Sequence, residues 1–273
     1  MIDPPPSPPA RWRPTPLLVG SALWHAGALL VTLLRPQWWP WTLSAVLANQ
    51  ALLTAMGMWP RSRGLGANMT RLPAAAAARG EVAITLDDGP DPEVTPRVLA
   101  ILAEHRVPVT FFCVGERAAR HSQCVRDCVA AGHAIENHSY GHRYHFALLG
   151  IGALRREIAR AQQQLTALTG TPPQFFRAPA GLRNPLLDPV LQRQGLRLAS
   201  WTRRGFDTVS TDAGRVLARL TSNLAAGDIL LLHDGHAART AAGTPLVLDV
   251  LPRLIAAISE RSLRPVTLRQ ALR

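Results

Sequence analysis

Two carboxylates stand side by side at Asp87 and Asp88, and two imidazoles stand four residues apart at His138 and His142. On a helix that spacing puts both rings on one face, one turn apart, which suits two ligands of a tetrahedral metal. Asp88, arriving from another part of the chain, can supply a third ligand. Two His and one carboxylate leave a position open for water, whose pKa a metal lowers toward neutrality while it polarises a carbonyl oxygen. Asp87 is then the candidate general base. Each feature also has a plainer reading: paired His fit an ordinary surface helix, and DDGPDP (87–92) fits a solvated acidic turn.

Such residues need a frame to position them, and residues 81–273 alternate strand and helix. EVAITL (81–86), VPVTFFCVG (107–115), the start of HAIENHSYGH (133–142), QFFRAPAG (174–181), LRLASW (196–201), DILLLHDG (228–235) and VTL (266–268) read as short apolar strands. EVTPRVLAILAEH (93–105), ERAARHSQCVRDCVAAG (116–132), ALRREIARAQQQLTALTG (153–170), NPLLDPVLQRQG (184–195), DAGRVLARLTSNLAAG (212–227) and PLVLDVLPRLIAAISERS (245–262) read as helices. Regular alternation implies parallel strands in an α/β layered or barrel fold. The number of units suits an incomplete barrel. Asp87, Asp88, His138, Arg177, Asp207 and His233 fall where strands end, and in an α/β barrel those ends share the active-site face.

The motifs narrow this further. TLDDGP (85–90), HSYGH (138–142), RAPAG (177–181) and LLHD (231–234) resemble the first, second, third and fifth motifs of the polysaccharide deacetylases, the carbohydrate esterase family 4 or NodB-homology domain. TFFCVG (110–115) resembles the family's second strand. The motifs occur in the family's order across 81–273. The resemblance implies a distorted, open (β/α)7 barrel that hydrolyses an N-acyl group, most often N-acetyl, from a hexosamine-containing glycan. It implies Asp87 as catalytic base, and Asp88, His138 and His142 as ligands of a divalent metal, zinc above all. It also implies that Arg177 holds Asp87 by a charge-assisted hydrogen bond. His233 becomes the acid that protonates the leaving amine, and a backbone N–H near Ala180 stabilises the oxyanion. The same site would serve a deformylase or amidase acting on a polyprenyl-linked sugar. A silent glycan-binding protein is the alternative from another class, and six retained site residues argue against it.

Two departures stand out. Ala180 replaces the aromatic common in the third motif. In the fourth, Trp201-Thr202-Arg203-Arg204-Gly205-Phe206-Asp207-Thr208 places Arg204 where an Asp is expected and Thr208 where a Trp is. The first of the family's two aspartates there is expected to orient the general acid. Asp207 is therefore the candidate to take over as the partner of His233, which leaves Arg204 available for an anionic substrate group such as a lipid diphosphate. His145 and His236 lie near the motifs as possible substrate contacts. Cys113, Cys124 and Cys128 read as core, and His105, His121 and His133 as structural or exposed.

The first 80 residues have another character. All 30 basic residues of the chain are arginine, six of the seven Trp precede residue 60, and no acid occurs between Asp3 and Glu81. Residues 1–15 read as a Pro-rich tail. Residues 16–60 hold two uncharged runs split by Arg35, each long enough to span a bilayer. Trp38, Trp39, Trp41 and Trp59 sit at the ends of the second run, as interfacial aromatics do. The expectation is a multi-pass membrane hairpin, a linker at 61–80, and, by the positive-inside rule, a cytoplasmic catalytic domain. Membrane lipid and an N-acetylated or lipid-linked sugar are the expected partners. The net charge of +12 comes with no nucleic-acid recognition motif and is read as composition.

Overall fold

The structure is a computed structural model that describes residues 12–273. Most of the proline-rich tail lies outside the described residues. In chain order the helices are α1 Pro16–Leu34, α2 Trp39–Met58, α3 Ala74–Ala78, α4 Thr95–His105, α5 Gly115–Arg120, α6 Ser122–Ala130, α7 Ile151–Thr169, α8 Leu187–Arg193, α9 Ala213–Thr221 and α10 Leu246–Glu260. The strands are β1 Glu81–Asp87, β2 Thr110–Cys113, β3 Ala134–Asn137, β4 Phe175–Phe176, β5 Arg197–Leu198, β6 Arg203–Arg204, β7 Ile229–His233 and β8 Arg264–Pro265.

Seven strands pair in the order β5-β4-β3-β2-β1-β7-β6, and β8 pairs with the start of β1. Every pairing is parallel. β5 and β6 follow each other in the chain yet lie at opposite edges, so the sheet is an open (β/α)7 barrel. Burial on both sides explains why these strands read as apolar runs. In β1, Val82, Ile84 and Leu86 face the helices, in one cluster with Val98, Leu102, Leu220, Val250 and Leu254. Ala83 faces the barrel interior with Phe112, Phe175, Ile229, Leu231 and Trp201. The two-residue alternation therefore sends Thr85 and Asp87 inward as well. In register, Asp87 lies beside His233 of β7 and Phe112 of β2.

Three sequence expectations change at this level. LRLASW is a strand only at β5. The next strand, β6, is two arginines, with no apolar pattern to announce it. Residues 116–132 form two helices broken at His121 (φ −120°, ψ 48°). The last strand lies at Arg264–Pro265, just before the expected 266–268.

Residues 61–80 are not a free connector. Leu65, Leu72, Ala76, Ser62 and Asn68 are buried. Met69 pairs with the chain leaving β5: its N–H donates to Leu198 O at 2.9 Å, and Ser200 N–H donates to Met69 O at 2.9 Å. The segment covers the edge that the open barrel leaves at β5, where unpaired backbone groups would otherwise need partners.

Helices α1 and α2 pack side by side. Trp24 Nε1 donates to Ala45 O at 3.0 Å, Thr32 and Thr42 hydroxyls meet at 2.7 Å, and Asn49 Nδ2 donates to Ser21 Oγ at 2.6 Å. Gln50 Nε2 lies 3.0 Å from His25 Nε2. The polar residues of the second run thus answer polar residues of the first. Among the described residues, α1 is the one helix long and apolar enough to cross a membrane. The helix α2 is long enough but carries Thr42, Ser44, Asn49, Gln50 and Thr54, so a multi-pass anchor is not supported. The expected cytoplasmic placement of the catalytic domain, argued from that hairpin, loses its basis with it.

Candidate functional site

The C-terminal ends of β1, β3, β4, β6 and β7 surround a cavity of about 460 Å³ lined by Asp87, Asp88, His138, His142, Trp201 and His233 among others. At its centre, the ligand atoms of Asp88, His138 and His142 lie within 4.8 Å of one another. Asp88 Oδ1 is 3.2 Å from His138 Nε2 and 3.0 Å from His142 Nε2. The two His are not on a helix. HSYGH is a loop after β3, and the left-handed residues Ser139 (φ 63°) and His142 (φ 46°) fold it back. The His142 N–H donates to Ser139 Oγ at 3.1 Å. The sequence spacing brings the rings together by a tight loop instead of a helical turn.

The donor set fits a metal. His138 Nδ1 lies 2.8 Å from the Arg177 carbonyl oxygen. That contact makes Nδ1 the protonated nitrogen and leaves the Nε2 lone pair for an ion, the support that metal-binding His ordinarily has. Burial would raise the Asp88 carboxyl, but the imidazoles of His138, His142 and His236 gathered around it hold it well below the usual carboxylate range.

Asp87, one residue earlier, turns the other way into the barrel. Its Oδ1 accepts from Arg177 Nη1 at 2.6 Å, and its Oδ2 is 3.9 Å from His138 Nε2. Arg177 is fully buried and every branch of its fork is used. Nη1 also donates to Thr85 Oγ1 at 2.8 Å, Nε to Ala199 O at 3.1 Å and Nη2 to Ser200 O at 2.9 Å. Its guanidinium lies 4.0 Å from the Phe112 ring centre. Burial lowers its pKa and the Asp87 charge opposes that. The guanidinium stays charged regardless, so Asp87 is fixed in place and in charge.

Across the cavity, Asp207 grips His233 twice. Its Oδ2 accepts the His233 backbone N–H at 2.8 Å and its Oδ1 lies 2.9 Å from Nδ1. Burial pulls the imidazole pKa down, but the Asp207 charge and hydrogen bond outweigh it, and the net shift is upward. Arg204 takes no part in that pair. It lines the cavity one inward position from His233, its backbone in register with Leu231.

The remaining candidates separate. His236 sits at the rim with Nδ1 3.5 Å from Asp88 Oδ2, whereas His145 is exposed and does not line the cavity. Cys113 and Cys128 are buried, and burial pushes both thiols well above the ordinary thiol range, which marks them as inert core. Sequence reasoning missed Arg117, whose Nη1 donates to the Asp88 carbonyl at 2.9 Å, because an arginine on a short helix carries no local signal. It also missed Asp234, whose Oδ2 accepts from Thr95 Oγ1 at 2.6 Å and whose carboxyl burial pushes up to about 7.

An open parallel barrel with a His₂Asp cluster, an Arg-held aspartate and an Asp-held histidine at its strand ends is the architecture of a metal-assisted hydrolase. Comparison with known proteins gives the family. The profile described as polysaccharide deacetylase matches residues 75–199. A peptidoglycan-N-acetylglucosamine deacetylase of Bacillus cereus is 31% identical over 195 residues, covering 70% of this chain and 67% of the relative. A chitooligosaccharide deacetylase of Sinorhizobium fredii is 31% identical over 196 residues, covering 70% of this chain and 91% of the relative. Among solved structures, a family 4 carbohydrate esterase from Streptomyces lividans in complex with acetate superposes with a TM-score of 0.62 at 30% identity, covering 68% of this chain and 91% of that one. The chain belongs to the polysaccharide deacetylase family.

Proposed function

We propose that this chain is a metal-dependent N-deacetylase of an amino-sugar glycan, attached to a membrane through α1. The observation that carries it is the meeting, in one cavity, of Asp88, His138 and His142 with Asp87 on Arg177 and His233 on Asp207. The three ligands suit a divalent ion, and zinc is the first choice for a His₂-carboxylate set. Such an ion supplies Lewis acidity and a water acidic enough to ionise near neutral pH.

The chain's own residues then divide the work. Asp87, held by Arg177 on one oxygen, keeps Oδ2 facing the ligand cluster and takes the proton of the attacking water. His233, on the opposite side, carries a proton on Nε2 while Asp207 holds Nδ1, and delivers it to the departing amine. One acid and one base on opposite sides of a scissile amide are what hydrolysis requires. The left-handed Ala180 (φ 54°) and the following Gly181 form the cavity wall where a backbone donor would face the oxyanion.

The relatives' names support N-acetylglucosamine in a glycan as the acyl-bearing sugar. The test is acetate release by the zinc- or cobalt-loaded full-length chain from chitotetraose and from peptidoglycan fragments. Activity should vanish on chelation and return with metal. Formate release from an N-formyl sugar without acetate release would move the assignment to a deformylase. Metal uptake with glycan binding but no product would make it a silent binding protein.

A further inference from the structure

The cavity has three arginines on its wall, and they differ in what they already touch. Arg117 donates to the Asp88 carbonyl at 2.9 Å and lies against His236. Arg120 pairs with Glu116 at 3.2 Å. The Arg204 side chain has no hydrogen bond and no carboxylate within ion-pair distance among the described residues, and its Nε is buried without a partner. Its neighbours are aromatic faces: Trp201 at 5.5 Å and Phe206 at 5.0 Å from the guanidinium carbon. The strand sets its direction. Arg203 reaches Asp228 at 2.6 Å, and a side-chain carbon at Gly205 would meet Val216 on α9 at 2.6 Å, so the residue between them points into the barrel. A charged fork held between two rings, with its donors unspent, is arranged to receive an oxyanion.

The wall that carries Arg204 is also the wall on which the apolar N-terminal helices are mounted. A side-chain carbon at Gly181 would lie 2.6 Å from Trp201 and 2.7 Å from Pro60, so the residues just after α2 are in close contact with the cavity lining. Ser200 Oγ donates to Pro60 O at 2.7 Å, Arg61 Nη1 to Thr202 O at 3.3 Å, and Arg183 N–H to Gly57 O at 3.1 Å. Exposed apolar side chains of the catalytic domain gather on the same strand-end loops: Tyr144, Leu148, Leu186, Phe206 and Val209. A substrate entering here has its acyl-amino sugar over the ligand cluster and its anion toward the side that bears the apolar helices.

Resting on the proposed deacetylase reading, we infer that the substrate is an N-acyl amino sugar joined through phosphate to a lipid, and that Arg204 is the specificity residue that binds the phosphate. A neutral oligosaccharide leaves the Arg204 donors unmade. A free sugar phosphate satisfies them but not the apolar rim. A lipid-linked sugar phosphate satisfies both.

The full-length, zinc-loaded chain in detergent micelles is assayed for acetate release from chitotetraose, N-acetylglucosamine 1-phosphate and a decyl phosphodiester of N-acetylglucosamine. KM should be lowest for the decyl phosphodiester. Arg204→Ala should raise KM for both phosphate-bearing substrates by about ten-fold more than for chitotetraose, the scale of a lost charge-assisted hydrogen bond, with kcat little changed. Arg204→Lys, which keeps the charge but not the fork, should recover part of that loss and guards against a folding defect. An equal rise in KM for all three substrates would make Arg204 a mere wall of the cavity and overturn the inference. Equal KM for the soluble and decyl phosphates would overturn the lipid carrier. Acetate release from chitotetraose alone would overturn the phosphate site while leaving the deacetylase reading intact. No acetate from any substrate would overturn that reading, and this inference with it.

Discussion

In the proposed reaction His233 is the residue whose protonation matters, and Asp207 is placed to govern it. Because the Asp207 charge and hydrogen bond lift the imidazole pKa against the pull of burial, the acid form persists to higher pH than it would alone. Asp207→Asn removes the lift, so the alkaline limb of the pH–rate profile should move to lower pH while metal content stays unchanged. An unmoved limb would show that Asp207 does not tune His233. The pair has a stability consequence of the same sign. A folded-state pKa raised above the unfolded value gives stability that is full below the unfolded pKa and lost as pH rises through the folded one. The denaturant midpoint of the wild type should therefore fall relative to Asp207→Asn across that window. The proposed metal ligands separate from the proposed base in the same manner. His138→Ala and His142→Ala should each lose bound metal, because each removes one of three protein ligands. Asp87→Asn should keep the metal and lower kcat by about 100- to 10,000-fold, the range of a lost general base; metal analysis beside the acetate assay separates the two outcomes. These residues were legible in the sequence as types and spacings. The Asp207–His233 contact was legible only as an expectation that Asp207 replaces the carboxylate lost at Arg204, because whether a loop residue faces a strand end is set by the turn beside it. Phe206, at φ 62°, makes that turn.

At the scale of elements, the apolar runs announced the central strands, and the two-residue strands at the barrel edge were hidden. The strands β1 and β7 are buried on both faces and carry Val, Ile and Leu, so their composition speaks for them. The edge strand β6 is Arg203–Arg204, stabilised by the Arg203–Asp228 pair and by register with β7, neither of which leaves a local pattern. The third-motif loop depends on close approach. Gly181 has φ 74° and faces both Trp201 and Pro60. Gly181→Ala adds a carbon where no room exists and a side chain where the backbone is left-handed. It should cost about 1–3 kcal/mol, a Tm fall of about 2–12 °C. Calorimetry reads the fall, and a Tm equal to wild type would show that the contact between Pro60 and the cavity wall is looser than the structure has it.

The whole molecule joins two bodies of different composition by a segment that belongs to the second. Composition alone placed a linker at 61–80, since Gly64, Gly66, Pro73 and the alanine run look like punctuation. The backbone pairing of Met69 with the chain around β5 and the burial of Leu65 and Leu72 are tertiary facts that no local pattern announces. They set where the chain can be cut. A chain starting at residue 60 keeps Pro60, Leu65, Met69 and Leu72 in place and loses α1, α2 and the residues before them, with the hydrogen bonds of Trp12 to Asp188 and Thr15 to Gly64. It should leave the membrane fraction, remain monodisperse and bind metal as the full-length chain does. A chain starting at residue 75 gives up two buried leucines, worth about 1.5–3 kcal/mol each, and uncovers the edge at β5. Against a domain stability of about 5–15 kcal/mol that loss is large, and the exposed edge favours aggregation. Size-exclusion profiles and thermal melts of the two truncations decide the matter. If the chain from residue 75 proves as soluble and as stable as the chain from residue 60, the segment is a connector after all, and the coupling of the N-terminal helices to the cavity wall would have to run through α2 and Pro60 alone.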